Sequence, residues 1–286
     1  MKKVRASDRT FNIALLIFMT FVIFIMLYPF LYLLAASFSS SSVMRLSLIP
    51  ARPSVAAYEK VVQNQYLWNG FLMTLLRLGI GTPLTLVVTI ATAYALSKPY
   101  FPNRTLWTGV LVLTMFFSGG LIPSYLLVRS VGIYNTVWAL VLPGLISTYN
   151  MIIMRNFFMS LPTEIEESAK IDGANDIIIL IRIVVPVSGA IIATVTLWTM
   201  VGHWNAWFDS LIYFNDMSKH VLQLVLRRLV IEGKVLTLFP GEDMGIGNPE
   251  AVKAATVLIG TAPIIMAYPF LQKYFVKGIM IGSLKG

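Results

Sequence analysis

Six stretches of this chain contain no Asp, Glu, Lys or Arg, and each is 19 residues or longer: Thr10 to Met44, Leu78 to Ser97, Thr105 to Val128, Ser130 to Met154, Ile183 to Phe208 and Ala254 to Gln272. A helix needs about 20 mostly apolar residues to cross the hydrocarbon layer. A backbone in lipid must also satisfy its own amides, which a helix does. The runs therefore imply an all-α, polytopic membrane protein with six transmembrane helices, expected at roughly 11–36, 71–97, 105–127, 136–156, 177–205 and 253–273. Charged residues are only 12% of the 286, against about 25% in soluble domains, which excludes a water-soluble fold of this length.

Six spans put both termini on one side. The segments on that side hold twelve Lys and Arg in short stretches, whereas the opposite loops hold eight in longer ones. The positive-inside rule then makes both termini cytoplasmic. The basic N-terminus precedes an apolar run too long for a signal-peptide core, so that run is expected to be a retained span. The net charge of +9 is assigned to membrane orientation and lipid headgroups rather than to nucleic acid. The chain has no Cys, so it has no disulfide framework and no thiolate metal site.

Residues 1–70 read as an N-terminal cytoplasmic segment, a first span and an external loop. Residues 71–286 read as a transmembrane core with a cytoplasmic helix at 163–175, an external loop at 206–252 and a cytoplasmic tail at 274–286. The cytoplasmic helix is the most distinctive polar element. Five of the thirteen acidic residues lie between Glu164 and Asp176. Thr163 and Glu166 have capping-box spacing. Acidic residues load the first turn, where the helix dipole favours them. Gly173 suits a C′ position with positive φ, and Asn175 suits a cap for the next helix. Ile165, Ser168, Ala169 and Asp172 share one face. Two readings stand for this element: a docking surface for a soluble partner, or a hydrated loop helix.

Glu167-Ser168-Ala169, Gly173, Ile183 and Val185-Pro186 carry a spacing that resembles the coupling-loop signature of ATP-binding-cassette (ABC) importer permeases. That signature reads Glu-Ala-Ala, three residues, Gly, nine residues, Ile, one residue, Leu-Pro. Ser168 and Val185 are the two departures. Ala169 to Ala174 is similar to the sugar-importer branch, and the tail from Tyr268 to Gly286 resembles MalG-like subunits, with LplC/YtcP-like permeases the most similar group. The resemblance implies a permease subunit in a bacterial cell membrane. It implies a second homologous permease subunit, two ATPase subunits that bind ATP and Mg, an extracytoplasmic solute-binding protein and an oligosaccharide substrate. It carries over an ATPase-docking role to Glu166, Glu167, Ser168, Ala169, Asp172 and Gly173. It also carries over a place at the ATPase interface for Ile281, Gly282, Ser283, Leu284, Lys285 and Gly286.

No P-loop occurs, because Gly233-Lys234 is followed by Val235. The chain is therefore expected to hold no cofactor and to do no catalysis, with energy coming from the ATPase. His203 and His220 are too few for a metal site. Arg77, Trp204 and Asn205 are candidates for a substrate path. Arg77 fits either an anionic solute or a snorkelling cation at a span end. Trp204 and Asn205 fit either a sugar-facing surface or an interfacial aromatic belt. Uronic-acid oligomers such as alginate fragments are one substrate class consistent with the basic pair Arg227 and Arg228. Two rivals remain from other classes. An ion-driven secondary transporter requires ionisable residues within spans, and only Arg77 qualifies. A membrane-embedded enzyme requires paired carboxylates, a His/Glu/Asp cluster or a nucleophile near the bilayer; the acids at 164–176 cluster, but in a capped helix that fits docking better.

Overall fold

The computed structural model describes residues 6–40, 48–50, 52–231 and 248–283, with side chains described within 11–266 of these. Among the described residues the fold is helical, with one isolated antiparallel bridge between Ser39 and Pro53. Among the described residues three helices are long and apolar enough to cross a membrane: α1 (Ala6–Ser37), α3 (Gln65–Ser97) and α14 (Pro249–Ser283). Two bent pairs raise the count to five if each pair is one span.

The bends fall where the backbone chemistry demands them. The expected span 105–127 divides into α4 (Arg104–Phe116) and α5 (Leu121–Ser130), which meet at 115°. Gly120, between them, has φ +86 and ψ 177, a region essentially restricted to glycine. The expected span 177–205 bends by 85° between 176–187 and 189–205. Pro186 lacks an N–H and crowds the carbonyl four residues back. The chain responds with a wide π-type turn at Leu180–Val184 between α9 (Asp176–Ile179) and α10 (Val185–Val187). Helix α11 (Gly189–Asn205) then leaves in a new direction. The expected span 136–156 is split as well. A short α6 (Trp138–Val141) and a tight turn through Pro143 precede α7 (Thr148–Met159). Apolar composition alone does not distinguish a broken span from a straight one, which is why the runs read as single helices.

The chain divides into two compact units, Met1–Leu67 with Leu226–Ala262, and Trp68–Val225 with Pro263–Gly286. In the first, α1 is apolar on every side and its spanning window is wholly unburied, as expected of a helix surrounded by lipid or partner helices. At its end Ser37 shares a 2.8 Å hydrogen bond with Tyr58 of α2 (Ala56–Gln63), and Asn248 donates to the Ser39 carbonyl at 2.9 Å.

The described residues of the second unit form buried clusters. One gathers Ala93, Tyr94 and Leu96 of α3, Met151, Met154 and Phe158 of α7, and Ala169, Ile179, Val184 and Val195. Another joins Val128, Ala139, Leu140, Tyr213, Phe214, Val221 and Leu224. The segment expected as an external loop, 206–252, is thus substantially folded: α12 (Phe208–Tyr213) and α13 (Leu222–Val230) contribute buried side chains, and 232–247 lies outside the described residues.

The two glycines at the first bend separate backbone strain from packing. Gly120→Ala is expected to cost about 1–3 kcal/mol, because alanine is forced into a glycine-only conformation. Gly119→Ala places its Cβ at an ordinary 3.7 Å from Pro123 and is expected to be neutral. Thermal unfolding of the detergent-solubilised protein distinguishes the two.

Candidate functional site

Helix α8 (Thr163–Ile171) is fastened from below and open above. It starts after Pro162, which makes no side-chain cap bond. The expected capping box is not what occupies Glu166. Its two carboxylate oxygens accept from the Lys98 ammonium, just past the end of α3. Lys98 also sits 4.1 Å from the Tyr94 ring centroid, a cation–π contact. The Lys98 and Glu166 side chains are 9% and 16% exposed, so the pair is shielded from water. Three residues on, Ala169 joins the core around Met151 and Met154.

A second set of contacts holds the far end. Lys170 donates to the Tyr100 hydroxyl at 3.1 Å, and Tyr100 donates to Asp176 at 2.8 Å. Burial and the bond to Asp176 hold the Tyr100 phenol above its ordinary pKa. The helix closes as its sequence implies. The Ala174 N–H bonds the Ala169 carbonyl at 2.9 Å and the Gly173 N–H bonds that of Lys170 at 3.0 Å, a Schellman closure. Gly173 has φ +83. The Asn175 side chain accepts from the Ile178 N–H at 2.9 Å and starts the next helix.

The six docking candidates therefore separate. Glu166 and Ala169 face inward as anchors. Glu167, Ser168, Asp172 and Gly173 face outward. Sequence reasoning passed over Ile171, which is 87% exposed and, with Ile165, gives the outward surface of α8 an apolar component. Of the tail candidates, Ile281, Gly282 and Ser283 end α14, and Leu284, Lys285 and Gly286 lie outside the described residues.

The second unit also holds a cleft of about 470 Å³. Arg77, a path candidate, lines it but is neither exposed nor snorkelling: its side chain is 5% exposed. Its guanidinium grips Asp209 through both terminal nitrogens, one at 3.1 Å, and its Nε donates to His203 Nδ1 at 3.2 Å. Asp209 was outside the sequence reading because it stands one residue beyond an uncharged run. The other two path candidates do not line the cleft. Trp204 is buried with its ring edge-on to Phe71 at 6.3 Å, and Asn205 is exposed. Trp198, Thr199, Gly202 and His203 present the cleft face of α11 instead. Helical spacing places Trp198 and Gly202 on one side, a signal available in the sequence once a cleft is known. Among the described residues no group of His, Cys, Asp and Glu could hold a metal ion.

No family model matches the chain. It is 40% identical over 285 residues to Protein LplC of Bacillus subtilis strain 168, covering 98% of this chain and 96% of that protein. It is 36% identical over 288 residues to the polygalacturonan/rhamnogalacturonan transport system permease protein YtcP of the same organism, covering 98% and 100%. Among solved structures, a chain of a bacterial ABC transporter involved in the import of the acidic polysaccharide alginate matches with a TM-score of 0.86 at 29% identity. That match covers 96% of this chain and all of the other.

The Lys98–Glu166 pair gives a direct test of how α8 is held. Lys98→Met leaves a shielded carboxylate without its partner and is expected to cost about 3 kcal/mol. The exchange Lys98→Glu with Glu166→Lys is expected to recover most of that loss. Melting temperatures of the two single variants and the double variant, combined in a cycle, read the coupling.

Proposed function

The chain belongs to the carbohydrate ABC transporter permease family, and on that premise we propose that it is one of two membrane subunits of an ATP-driven, binding-protein-dependent importer of oligosaccharides. The observation that carries the coupling role is α8. A short helix is held rigidly by Glu166 and Ala169, while Glu167, Ser168, Ile171 and Asp172 are left to the solvent. Such a surface receives a soluble partner. In this reading that partner is the ATPase, which binds ATP and Mg and does the hydrolysis, and this chain makes and breaks no covalent bond.

Two ATPase subunits, a second homologous permease and an extracytoplasmic solute-binding protein complete the assembly. ATPase closure pushes α8, and the ion pair at Lys98 passes that thrust into α3. Arg77 stands on the same helix roughly 31 Å away at 1.5 Å per residue, so displacement of α8 is felt at the cleft. The side bearing α8 is cytoplasmic, as are both termini, in keeping with the distribution of Lys and Arg. Ile281 to Gly286 reach toward the ATPase interface by resemblance to MalG-like tails. Fragments of polysaccharides, acidic ones included, are the substrate class suggested by what the relatives are named for.

Ile171→Asp replaces the exposed apolar contact with a charge and leaves the anchors untouched. Purification of the tagged chain from membranes is expected to retain the second permease and lose the ATPase, with ATP-dependent uptake in vesicles falling at least tenfold. A native chain that purifies without any ATPase and moves sugar in response to an ion gradient alone contradicts the proposal.

A further inference from the structure

The cleft lined by Arg77 holds more than an ion pair. Asn150 is 8% exposed and lines it, and its side-chain amide makes no hydrogen bond to a described residue. Tyr213 is 6% exposed, lines the same space, and its hydroxyl is likewise without a partner among the described residues. Thr85 Oγ1, Thr199 Oγ1 and His203 Nε2, on residues that line the same cleft, are buried with no hydrogen-bond partner among the described residues. Buried polar groups are almost always paired, so these, beside the open amide and phenol, call for a ligand that brings donors and acceptors. The amide offers both, and so does the phenol. The Trp198 indole borders the same cavity, an apolar π surface braced by the Tyr149 ring at 6.1 Å. The C–H faces of a pyranose pack on such a surface while its hydroxyls point outward to polar groups. The volume of about 470 Å³ lies within the roughly 300–1,000 Å³ of small-molecule sites.

Charge decides which sugar. Arg77 and Asp209 are the charged residues that line the cleft, and they neutralise each other through two hydrogen bonds. His203 accepts from Arg77 at Nδ1 and so presents a lone pair there, as a neutral ring does. A uronate entering this space meets the Asp209 carboxylate and finds the guanidinium already satisfied. Displacing Asp209 strands a shielded charge, a loss that a ligand carboxylate does not recover.

We infer that this cleft is a binding subsite for an uncharged pyranose unit, with Trp198 as its stacking face and Asn150 and Tyr213 as its hydroxyl partners. Arg77 and Asp209 form a closed pair that keeps carboxylated sugars out. This rests on the importer reading above and deepens it: carboxylates on an acidic cargo are held elsewhere in the assembly.

Equilibrium dialysis tests it on the purified complex of permeases and ATPases without the solute-binding protein. The probes are radiolabelled 4-linked galactobiose and its acidic counterpart, digalacturonate. The native complex is expected to prefer galactobiose. Trp198→Ala and Asn150→Ala are each expected to weaken galactobiose binding about tenfold, in line with one lost contact, and to leave digalacturonate unchanged. Asp209→Asn releases Arg77 and is expected to raise digalacturonate affinity about tenfold, whereas Asp209→Glu keeps the native preference. If Asp209→Asn does not assemble, the Trp198 and Asn150 variants carry the test alone. Absence of galactobiose binding to the native complex, unaltered binding in both variants, or equal loss of both probes overturns the subsite. ATP-dependent uptake by the same complex, reconstituted in vesicles together with its solute-binding protein, is measured in parallel. Uptake that persists while the subsite fails leaves the importer reading standing, and its absence removes that reading itself.

Discussion

The shielded ion pair between Lys98 and Glu166 is the joint on which the rest of the structure turns. Without it α8 is a nine-residue polar helix, shorter than the 12 to 15 residues that isolated helices need for even marginal stability in water. With it the helix gains a fixed attachment to the end of the longest helix of its unit. Ala169 contributes a small side chain that allows close approach to Met151 and Met154, and the Schellman turn at Gly173 stops the helix where α9 must begin. Arg155 adds a further tie by donating from Nε to the Leu96 carbonyl at 2.8 Å, which satisfies an orphan acceptor at the end of α3. These contacts converge on one turn, residues 96–101, so a force on α8 arrives at α3 rather than being dissipated in a loop.

The pair also explains a division of labour among adjacent acidic residues. Glu166 and Glu167 are chemically alike, but the helix turn between them sends one inward to a cation and the other outward to solvent. A docking surface requires both kinds, because residues that meet a partner transmit motion only when others hold the helix in place. Nearer the middle of α3, Arg77 plays a comparable part. Its bond to Asp209 ties α3 to α12, and the adjoining His203 ties it to α11, so the walls of the cleft are cross-linked by hydrogen bonds.

Much of this was legible in the sequence, for reasons that differ from element to element. The uncharged runs located α1, α3 and α14 because lipid sets a length that only long apolar stretches meet. Gly173 and Asn175 were readable because their roles are local, fixed by φ and by a cap three residues away. The break at Gly120 was not read, although its cause was in plain view: apolar content is the same whether a helix bends or not. The Arg77–Asp209 contact joins residues distant in the chain, and no local pattern announces it. Trp204 drew attention through its His-Trp-Asn setting, yet the helix turns it onto Phe71 and turns Trp198 to the cleft. Glu166 misled in the other direction, since capping-box spacing describes a bond within the helix and the carboxylate found a cation outside it.

In the importer proposed above, the outward face of α8 receives an ATPase. The chain contains no cysteine, so a single one at Ser168 can carry a benzophenone photo-crosslinker without background. Illumination of membranes containing the assembled complex is required to yield an adduct of this chain with the ATPase subunit, and the same label at Phe24 on α1 is required to yield none. An active complex in which the label at position 168 reacts only with lipid or solvent contradicts the docking role of α8.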